Sequence, residues 1–347
     1  MKAAVLYASR DLRVEEIDKP LINEQEVLIR VMASGVCGSD IPRVLKSASH
    51  YYPNVFGHEF SGVVEEVGNN VTHVCVGDKV AVAPLKPCHA CEACLSGQHA
   101  LCKKYSFIGS REYGAWAEYV KAPGINVIKL QDTVSFIQGA FLEPITVALH
   151  GLLLMDFKPM TTVAITGMGT IGLLTLQCCK LMGAKEITVF DVDPERLDIA
   201  KALGATYIVN TREADYLEKT KELTHNKGYE MVIETAGVPA TEVLCLELCG
   251  NGGSVMFIGT PHVDFTLTPK QFELINRKEL VIRGSWMSYS APFPGKEWTL
   301  GAHYLSTNQI IVDSLVGRTV SLDGLWDAFC DIEARKISGK VMIEMES

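Results

Sequence analysis

Apolar positions recur along the chain in two textures, and the change between them comes near residue 160. Up to about residue 130 they form short β-branched runs bounded by Gly, Asn or Asp: Val27-Leu28-Ile29-Arg30-Val31, Gly62-Val63-Val64-Glu65-Glu66-Val67-Gly68 and Asp78-Lys79-Val80-Ala81-Val82. Side chains branched at Cβ suit the pleated surface of a sheet, and closely spaced turn residues predict an antiparallel, barrel-like domain. From about 160, strand-like runs alternate with helical stretches. Thr162 to Thr166 predicts a strand and Leu173 to Met182 a helix; Glu186 to Phe190 and Pro194 to Leu203 repeat the pair. Further strands are predicted at Met231 to Ile233, Gly253 to Ile258 and Leu280 to Ile282. This alternation predicts βαβ units and a parallel sheet. After about 290 the pattern turns irregular and ends in a strand, Lys340 to Ile343, expected to return to the first domain. The expected fold class is α/β plus β, divided at 1–150, 151–290 and 291–347.

Composition narrows the function. At 347 residues the chain exceeds one ordinary core. Its net charge of −9 argues against general nucleic-acid binding, which needs a basic face, though not against a small anionic substrate. Lys2 is followed by only a short apolar run before Arg10, unlike a secretory leader, so a cytoplasmic location is expected. The uncharged stretch from Thr161 to Cys179 is long enough to span a bilayer, but its glycines and strand-then-turn pattern predict a buried strand and helix instead. Eleven cysteines in a reducing compartment point to metal rather than disulfides. Cys75, Cys178, Cys179, Cys245, Cys249 and Cys330 show no ligand spacing and are expected to be mostly small buried apolar residues.

Gly167-Met168-Gly169-Thr170-Ile171-Gly172 is a G-x-G-x-x-G that follows a predicted strand and opens a predicted helix. The first glycine permits a tight turn, the second lets backbone approach a pyrophosphate, and the third lets helix and strand pack closely. Free N–H groups at the helix start, those of Thr170 and Ile171 among them, then favour phosphate. Asp191 ends the next strand about twenty residues on, where a carboxylate accepts hydrogen bonds from ribose hydroxyls. It also repels a 2′-phosphate and so favours NAD over NADP, while Arg196 nearby acts in the opposite sense. The plainer alternative is that Asp191 caps the helix beginning near Pro194.

Two groups of metal donors stand out. Cys88-x2-Cys91-x2-Cys94-x7-Cys102 offers four soft thiolates in a compact loop, which suits a closed, structural tetrahedral zinc. The rival, an iron–sulfur cluster, usually has its fourth cysteine nearer and followed by Pro, whereas Lys103 follows Cys102 here. The second group is dispersed: Cys37 in Gly35-Val36-Cys37-Gly38-Ser39-Asp40, His58-Glu59 after Gly57, and Glu143 inside an apolar run. Each alone has an ordinary explanation, as core filler, core histidine or helix cap. Spacing does not bring them together.

Together these features resemble the zinc-containing medium-chain dehydrogenases. The resemblance runs through Gly57-His58-Glu59-Phe60-Ser61-Gly62, the four-cysteine loop, the glycine fingerprint and Glu234-Thr235-Ala236-Gly237. It is strongest to the polyol dehydrogenase branch, where Glu-Pro occupies the region of Glu143-Pro144. It implies a GroES-like β-rich catalytic domain and a Rossmann doubly wound parallel-sheet cofactor domain, one catalytic and one structural zinc, NAD, and a homodimer or homotetramer. It further implies that Cys37, His58 and a carboxylate hold the catalytic zinc. Glu59 and Glu143 both match positions able to ligate directly or through water, with Glu143 ranked ahead in the resting enzyme. His50-Tyr51-Tyr52-Pro53, Phe107-Ile108-Gly109-Ser110-Arg111 and Gly284-Ser285-Trp286-Met287-Ser288-Tyr289-Ser290 are similar to the enzymes that oxidise galactitol 1-phosphate. That similarity implies a ketose phosphate such as tagatose 6-phosphate as product.

In the implied chemistry a metal-polarised hydroxyl loses its proton and its carbon gives hydride to the nicotinamide. Ser39 matches the family hydroxyl that helps pass the proton away. Some members continue through a His three residues later, but Pro42 stands there, so water with Glu59 or Glu143 is the expected route. Arg43, Lys46 and Arg111 are candidate phosphate contacts because guanidinium and ammonium groups near the motifs suit phosphate. Trp286 and Tyr289 are candidate lining residues, with aromatic packing as the alternative. The rival substrates are an unphosphorylated, sorbitol-like polyol, butanediol or threonine. A zinc-stabilised NAD(H)-binding sensor without catalysis is the rival of another class, and a sensor has no need of Cys37, Ser39, His58, Glu59 and Glu143 together.

Overall fold

The computed structural model describes residues 1–345. The chain forms two compact units, Met1–Glu143 joined by the segment from Tyr289 onward, and Pro144–Ser288. The divisions fall after Glu143 and after Ser288, where the sequence suggested 150 and 290.

The first unit is β-rich. Its main sheet runs in the order Val127–Lys129, Lys79–Val82, Glu59–Val67, Glu26–Gly35, Lys340–Glu344, Val316–Val320, and Tyr119–Pro123 also pairs with Glu26–Gly35. The pairs are antiparallel except the last, between Val316–Val320 and Lys340–Glu344. The strand Glu26–Gly35 is buried along nearly its whole length, because neighbours flank it on both edges and side chains cover both faces. Val27, Ile29, Val31, Phe60, Val64 and Val80 form one apolar cluster of this unit. A second gathers around Trp116, whose ring lies 5.8 Å from that of Phe56 and 5.5 Å from that of Phe329. Burying each such large apolar side chain contributes about 1.5–3 kcal/mol. The C-terminal strand does return to this unit: Met342 pairs with Gly35, and Glu59 pairs with Gly35 from the other side. That register brings the start of Glu59–Val67 and the start of Lys340–Glu344 to the strand end that leads into Cys37.

The second unit holds a six-stranded parallel sheet. Its order is Tyr207–Asn210, Glu186–Asp191, Thr162–Thr166, Tyr229–Glu234, Cys249–Phe257, Val281–Gly284, which is the doubly wound 3-2-1-4-5-6 arrangement. Helices Thr170–Leu181, Pro194–Leu203, Tyr216–Leu223, Pro239–Leu248 and Pro269–Arg277 make the connections. The expected β-plus-Rossmann architecture is therefore present. The uncharged stretch from Thr161 resolves into strand, glycine turn and helix, and no helix among the described residues is long and apolar enough to cross a membrane. Two elements carried little apolar signal in the sequence. The strand Tyr207–Asn210 lies at the sheet edge with only Val209 buried, and the helix Tyr216–Leu223 is largely polar. Cys178, Cys179, Cys245 and Cys249 are buried, as expected for most of the six, and Cys75 and Cys330 are exposed.

Candidate metal centres and cofactor loop

The four clustered cysteines form a compact group in the first unit, their sulfurs all within 4.8 Å of one another. Cys88 and Cys94 sulfurs are 4.0 Å apart, Cys91 and Cys94 3.5 Å, and Cys91 and Cys102 3.8 Å. Sulfurs 2.3 Å from a central zinc on a tetrahedron would lie about 3.8 Å apart, so the spacing fits that ion. Backbone N–H groups of Ala90 and Cys91 pull the Cys88 thiol down to about 6. Burial and the neighbouring sulfurs push Cys94 up to about 12. Four thiolates this close coexist only around a cation. The loop rests on aromatic rings: Phe293 meets His99 and His89 edge-on at 5.3 and 5.5 Å.

The dispersed donors also meet. Ligand atoms of Cys37, His58 and Glu59 lie within 4.8 Å of one another, although no spacing in the sequence required it. Cys37 follows the end of Glu26–Gly35, and His58 and Glu59 enter the adjacent strand, so the antiparallel register does the gathering. His58 Nδ1 is buried without a hydrogen-bond partner, 3.7 Å from Asp40 Oδ1. Asp40, fully buried, accepts from the Cys37 N–H at 3.0 Å and from Arg43 Nη1 at 3.2 Å. Burial pushes the Cys37 thiol up, and the charges of Glu59 and Asp40 push it further. A half-buried thiol, a buried carboxylate and a buried imidazole form a donor set suited to a divalent zinc ion.

Glu143 stands beside this group but outside the set of three. Its carboxyl is pushed up to about 7, chiefly by burial, with His58 opposing and Glu59 reinforcing. The three donors within 4.8 Å of one another include Glu59 and not Glu143. Glu59 is not idle there: Lys340 Nζ donates to its carboxylate and, at 3.2 Å, to Val36 O. The pair is nearly sealed from solvent, with side chains 5% and 3% exposed. Gly35 is needed beneath it, because a Cβ at that position would collide with the Glu59 carboxylate. Lys340 was missed by sequence reasoning. It lies 281 residues from Glu59 and carries no motif. Asp40 was missed too, though it stands within the quoted Cys37 segment.

In the second unit the glycine motif opens the helix Thr170–Leu181, with Gly169 as its N-cap. Gly167 has φ +88°, a conformation costly for residues with a Cβ. At Gly169 a Cβ would meet nothing within 4 Å, which leaves open room where backbone N–H groups can take a phosphate. At Gly172 a Cβ would strike the Gly167 carbonyl. The Glu234-Thr235-Ala236-Gly237 segment braces this turn, Thr235 Oγ1 donating to Gly167 O at 2.8 Å. Asp191 does not cap the next helix. Asp193 does so, accepting from the Glu195 N–H at 3.0 Å, and Arg196 leans on Asp193 at 3.6 Å. Asp191 instead accepts from Met168 N at 2.5 Å, Val192 N at 2.7 Å and Asp193 N at 2.9 Å, joining the strand end to the glycine turn.

The remaining sequence candidates separate. Ser39 Oγ donates to Cys37 Sγ at 3.3 Å and accepts from Arg43 Nη1 at 2.9 Å. Arg111 lies over the Tyr105 ring at 4.6 Å. Lys46 is exposed and acts on Glu333, the partner of Arg10. Tyr289 is a packing residue: buried, stacked on Phe293 at 5.8 Å, its hydroxyl accepting from the Leu85 N–H at 2.9 Å. Trp286 is 55% exposed.

Comparison with known proteins agrees with this anatomy. Residues 23–132 match the alcohol dehydrogenase GroES-like domain, and residues 170–300 match the zinc-binding dehydrogenase domain. The chain is 40% identical over 344 residues to galactitol 1-phosphate 5-dehydrogenase of Escherichia coli, covering 99% of each. The crystal structure of galactitol-1-phosphate dehydrogenase from Escherichia coli superposes with a TM-score of 0.95 over 99% of this chain and 100% of that one, at 40% identity. Sorbitol dehydrogenase of Bacillus subtilis is 35% identical over 341 residues, covering 94% of this chain and 92% of the relative. By its two domains, its donor sets and this likeness along its length, the chain belongs to the zinc-dependent alcohol and polyol dehydrogenase family.

Proposed function

We propose that this chain oxidises a sugar-alcohol phosphate with NAD, taking galactitol 1-phosphate to a ketose phosphate such as tagatose 6-phosphate. The observation that carries the chemistry is the group of Cys37, His58 and Glu59 within 4.8 Å of one another, beside the hydroxyl of Ser39. Unlike the closed four-cysteine loop, a site with three protein ligands leaves a coordination position for substrate. When bound, zinc and nicotinamide supply Lewis acidity at the hydroxyl being oxidised and an acceptor for hydride.

The chain's own residues do the rest. Ser39 receives the substrate's proton at Oγ, held there by the Arg43 donor at 2.9 Å. Pro42 carries no side-chain donor, so the proton's onward path is assigned to water and the carboxylates of Glu59 and Glu143. Gly167, Gly169, Thr170, Ile171 and Gly172 cradle the dinucleotide phosphates, and Asp191, with Arg196 nearby, attends the ribose and favours NAD over NADP. Cys88, Cys91, Cys94 and Cys102 hold a second, structural zinc. The same reading includes a homodimer or homotetramer, supported by the edge strand Val281–Gly284, exposed along its length.

The choice of a galactitol phosphate is supported by the likeness to galactitol 1-phosphate 5-dehydrogenase, and the sorbitol dehydrogenase likeness supplies the competing substrate. NADH formation by zinc-replete protein decides between them, with galactitol 1-phosphate set beside free galactitol and sorbitol. A strong preference for the ester is expected. Equal or faster oxidation of the free polyols would overturn the phosphate assignment.

A further inference from the structure

Arg43 of the first unit stands beside Ser39 and pairs with the buried Asp40, and the turn that carries Arg111 and the loop that carries His50 belong to the same unit. Arg43 stands on the helix Asp40–Leu45, and every hydrogen bond it makes to a described residue runs through Nη1, to Ser39 Oγ at 2.9 Å and Asp40 Oδ1 at 3.2 Å. Nη2 and Nε keep their donors, on a side chain that is 21% exposed. Arg111 follows Phe107 on a turn, and the Phe107 ring meets His58 at 5.6 Å, so this turn borders the metal donors. No carboxylate among the described residues pairs with Arg111, whose guanidinium donates to Tyr105 Oη at 3.3 Å. Glu112, the next acid in sequence, is taken by Lys86 at 2.7 Å. Asn54 Nδ2 donates to Ser110 O at 3.3 Å, tying the loop of His50 to that of Arg111. Burial pushes the His50 imidazole below its ordinary range, and the charges of Arg111 and Arg43 lower it further.

We infer that Arg43, Arg111 and His50 form the subsite for the phosphate of the sugar-alcohol phosphate, with the guanidinium groups as its principal contacts. This rests on the reading of a phosphorylated substrate given above. Guanidinium forks match phosphate oxygens two at a time, and like charges brought together lose their mutual repulsion when an anion enters. Lys46 lies outside the subsite. Because Arg43 also holds Ser39, phosphate binding is coupled to the placement of the proton-accepting hydroxyl. Binding energy from the remote group then appears in kcat as well as in KM.

The test compares kcat/KM for galactitol 1-phosphate with that for free galactitol in zinc-replete enzyme, with zinc content and far-UV spectrum confirming each variant's fold. Arg111→Gln is expected to lower that ratio by about 10- to 100-fold, the effect of losing a charge-assisted contact. Arg111→Lys restores part of the loss, and Lys46→Gln keeps the wild-type ratio. Arg43→Gln lowers kcat with the ester along with the ratio. An ester preference that survives both Arg111→Gln and Arg43→Gln would overturn the subsite while leaving the substrate reading intact. Absence of any ester preference in the wild type would overturn the substrate reading, and the subsite with it.

Discussion

Replacing Lys340 with methionine probes the buried pair beneath the candidate catalytic site. Methionine keeps the chain length and removes the charge. Lys340 Nζ binds the Glu59 carboxylate and Val36 O, and both charged side chains are almost wholly enclosed. Removing one partner of a buried pair costs about 3–5 kcal/mol, because the other charge stays buried without compensation. Here the stranded Glu59 also faces Cys37, Asp40 and Glu143, which sharpens the penalty. A zinc ion held by Cys37, His58 and Glu59 would replace the missing positive charge. The loss is therefore expected in zinc-free protein and should shrink when zinc is supplied; by reciprocity the variant should bind zinc more tightly than wild type. Urea unfolding read by tryptophan fluorescence reports on the right unit, since Trp116, Trp298 and Trp326 lie in it and Trp116 and Trp298 are buried. The midpoint should fall by about 1–2 M in the presence of a chelator. Burial lowers the Lys340 pKa, but Glu59 and Cys37 more than offset this and the net direction is upward. The pair's contribution is thus complete below the ordinary lysine value of about 10.4 and is lost only as pH rises through the folded value. Coincident midpoints in chelator, or a gap that zinc fails to narrow, would refute the reasoning.

Four further outcomes are expected. Cys91→Ser should reduce zinc from about two ions to about one per chain and destabilise the loop against Phe293, as measured by metal analysis and thermal melting. Ser39→Ala should lower turnover by about 10²- to 10⁴-fold with zinc content unchanged; wild-type turnover would remove Ser39 from the proton path. Asp191→Asn should reduce the NAD-over-NADP preference by about tenfold or more in steady-state kinetics, since it removes the charge that repels a 2′-phosphate. Asp78 is held below the usual carboxylate range first by Lys129 at 2.6 Å and then by the Cys75 N–H at 2.8 Å. Its depressed pKa stabilises the fold above the unfolded value of about 3.9, and that contribution is lost as pH falls through the folded pKa. Wild type should therefore exceed Asp78→Asn in stability near neutrality and converge with it in acid.

Local patterns carried a large part of this protein. The four-cysteine loop was legible because its ligands lie within one short segment, where chain connectivity alone keeps them close. The glycine motif was legible because each glycine answers a steric demand of a single strand–turn–helix, and the parallel sheet because apolar strands and helices alternate. Elements with few apolar residues, such as Tyr207–Asn210 and Tyr216–Leu223, left little pattern to read. The role of Asp191 was legible only as alternatives, since two aspartates stand two residues apart and backbone geometry decided that Asp193 takes the cap.

What the sequence by itself determined, then, is whatever short stretches of chain enforce: the strands, the turns, the closed metal loop and the phosphate-binding turn. The meeting of Cys37, His58 and Glu59 needed the antiparallel register of Glu26–Gly35 with Glu59–Val67. The Lys340–Glu59 pair needed the C-terminal strand to join the same sheet across Gly35, from 281 residues away. Tertiary structure decided these because a buried charge finds its partner in space, and sheet register, not distance along the chain, sets who stands beside whom.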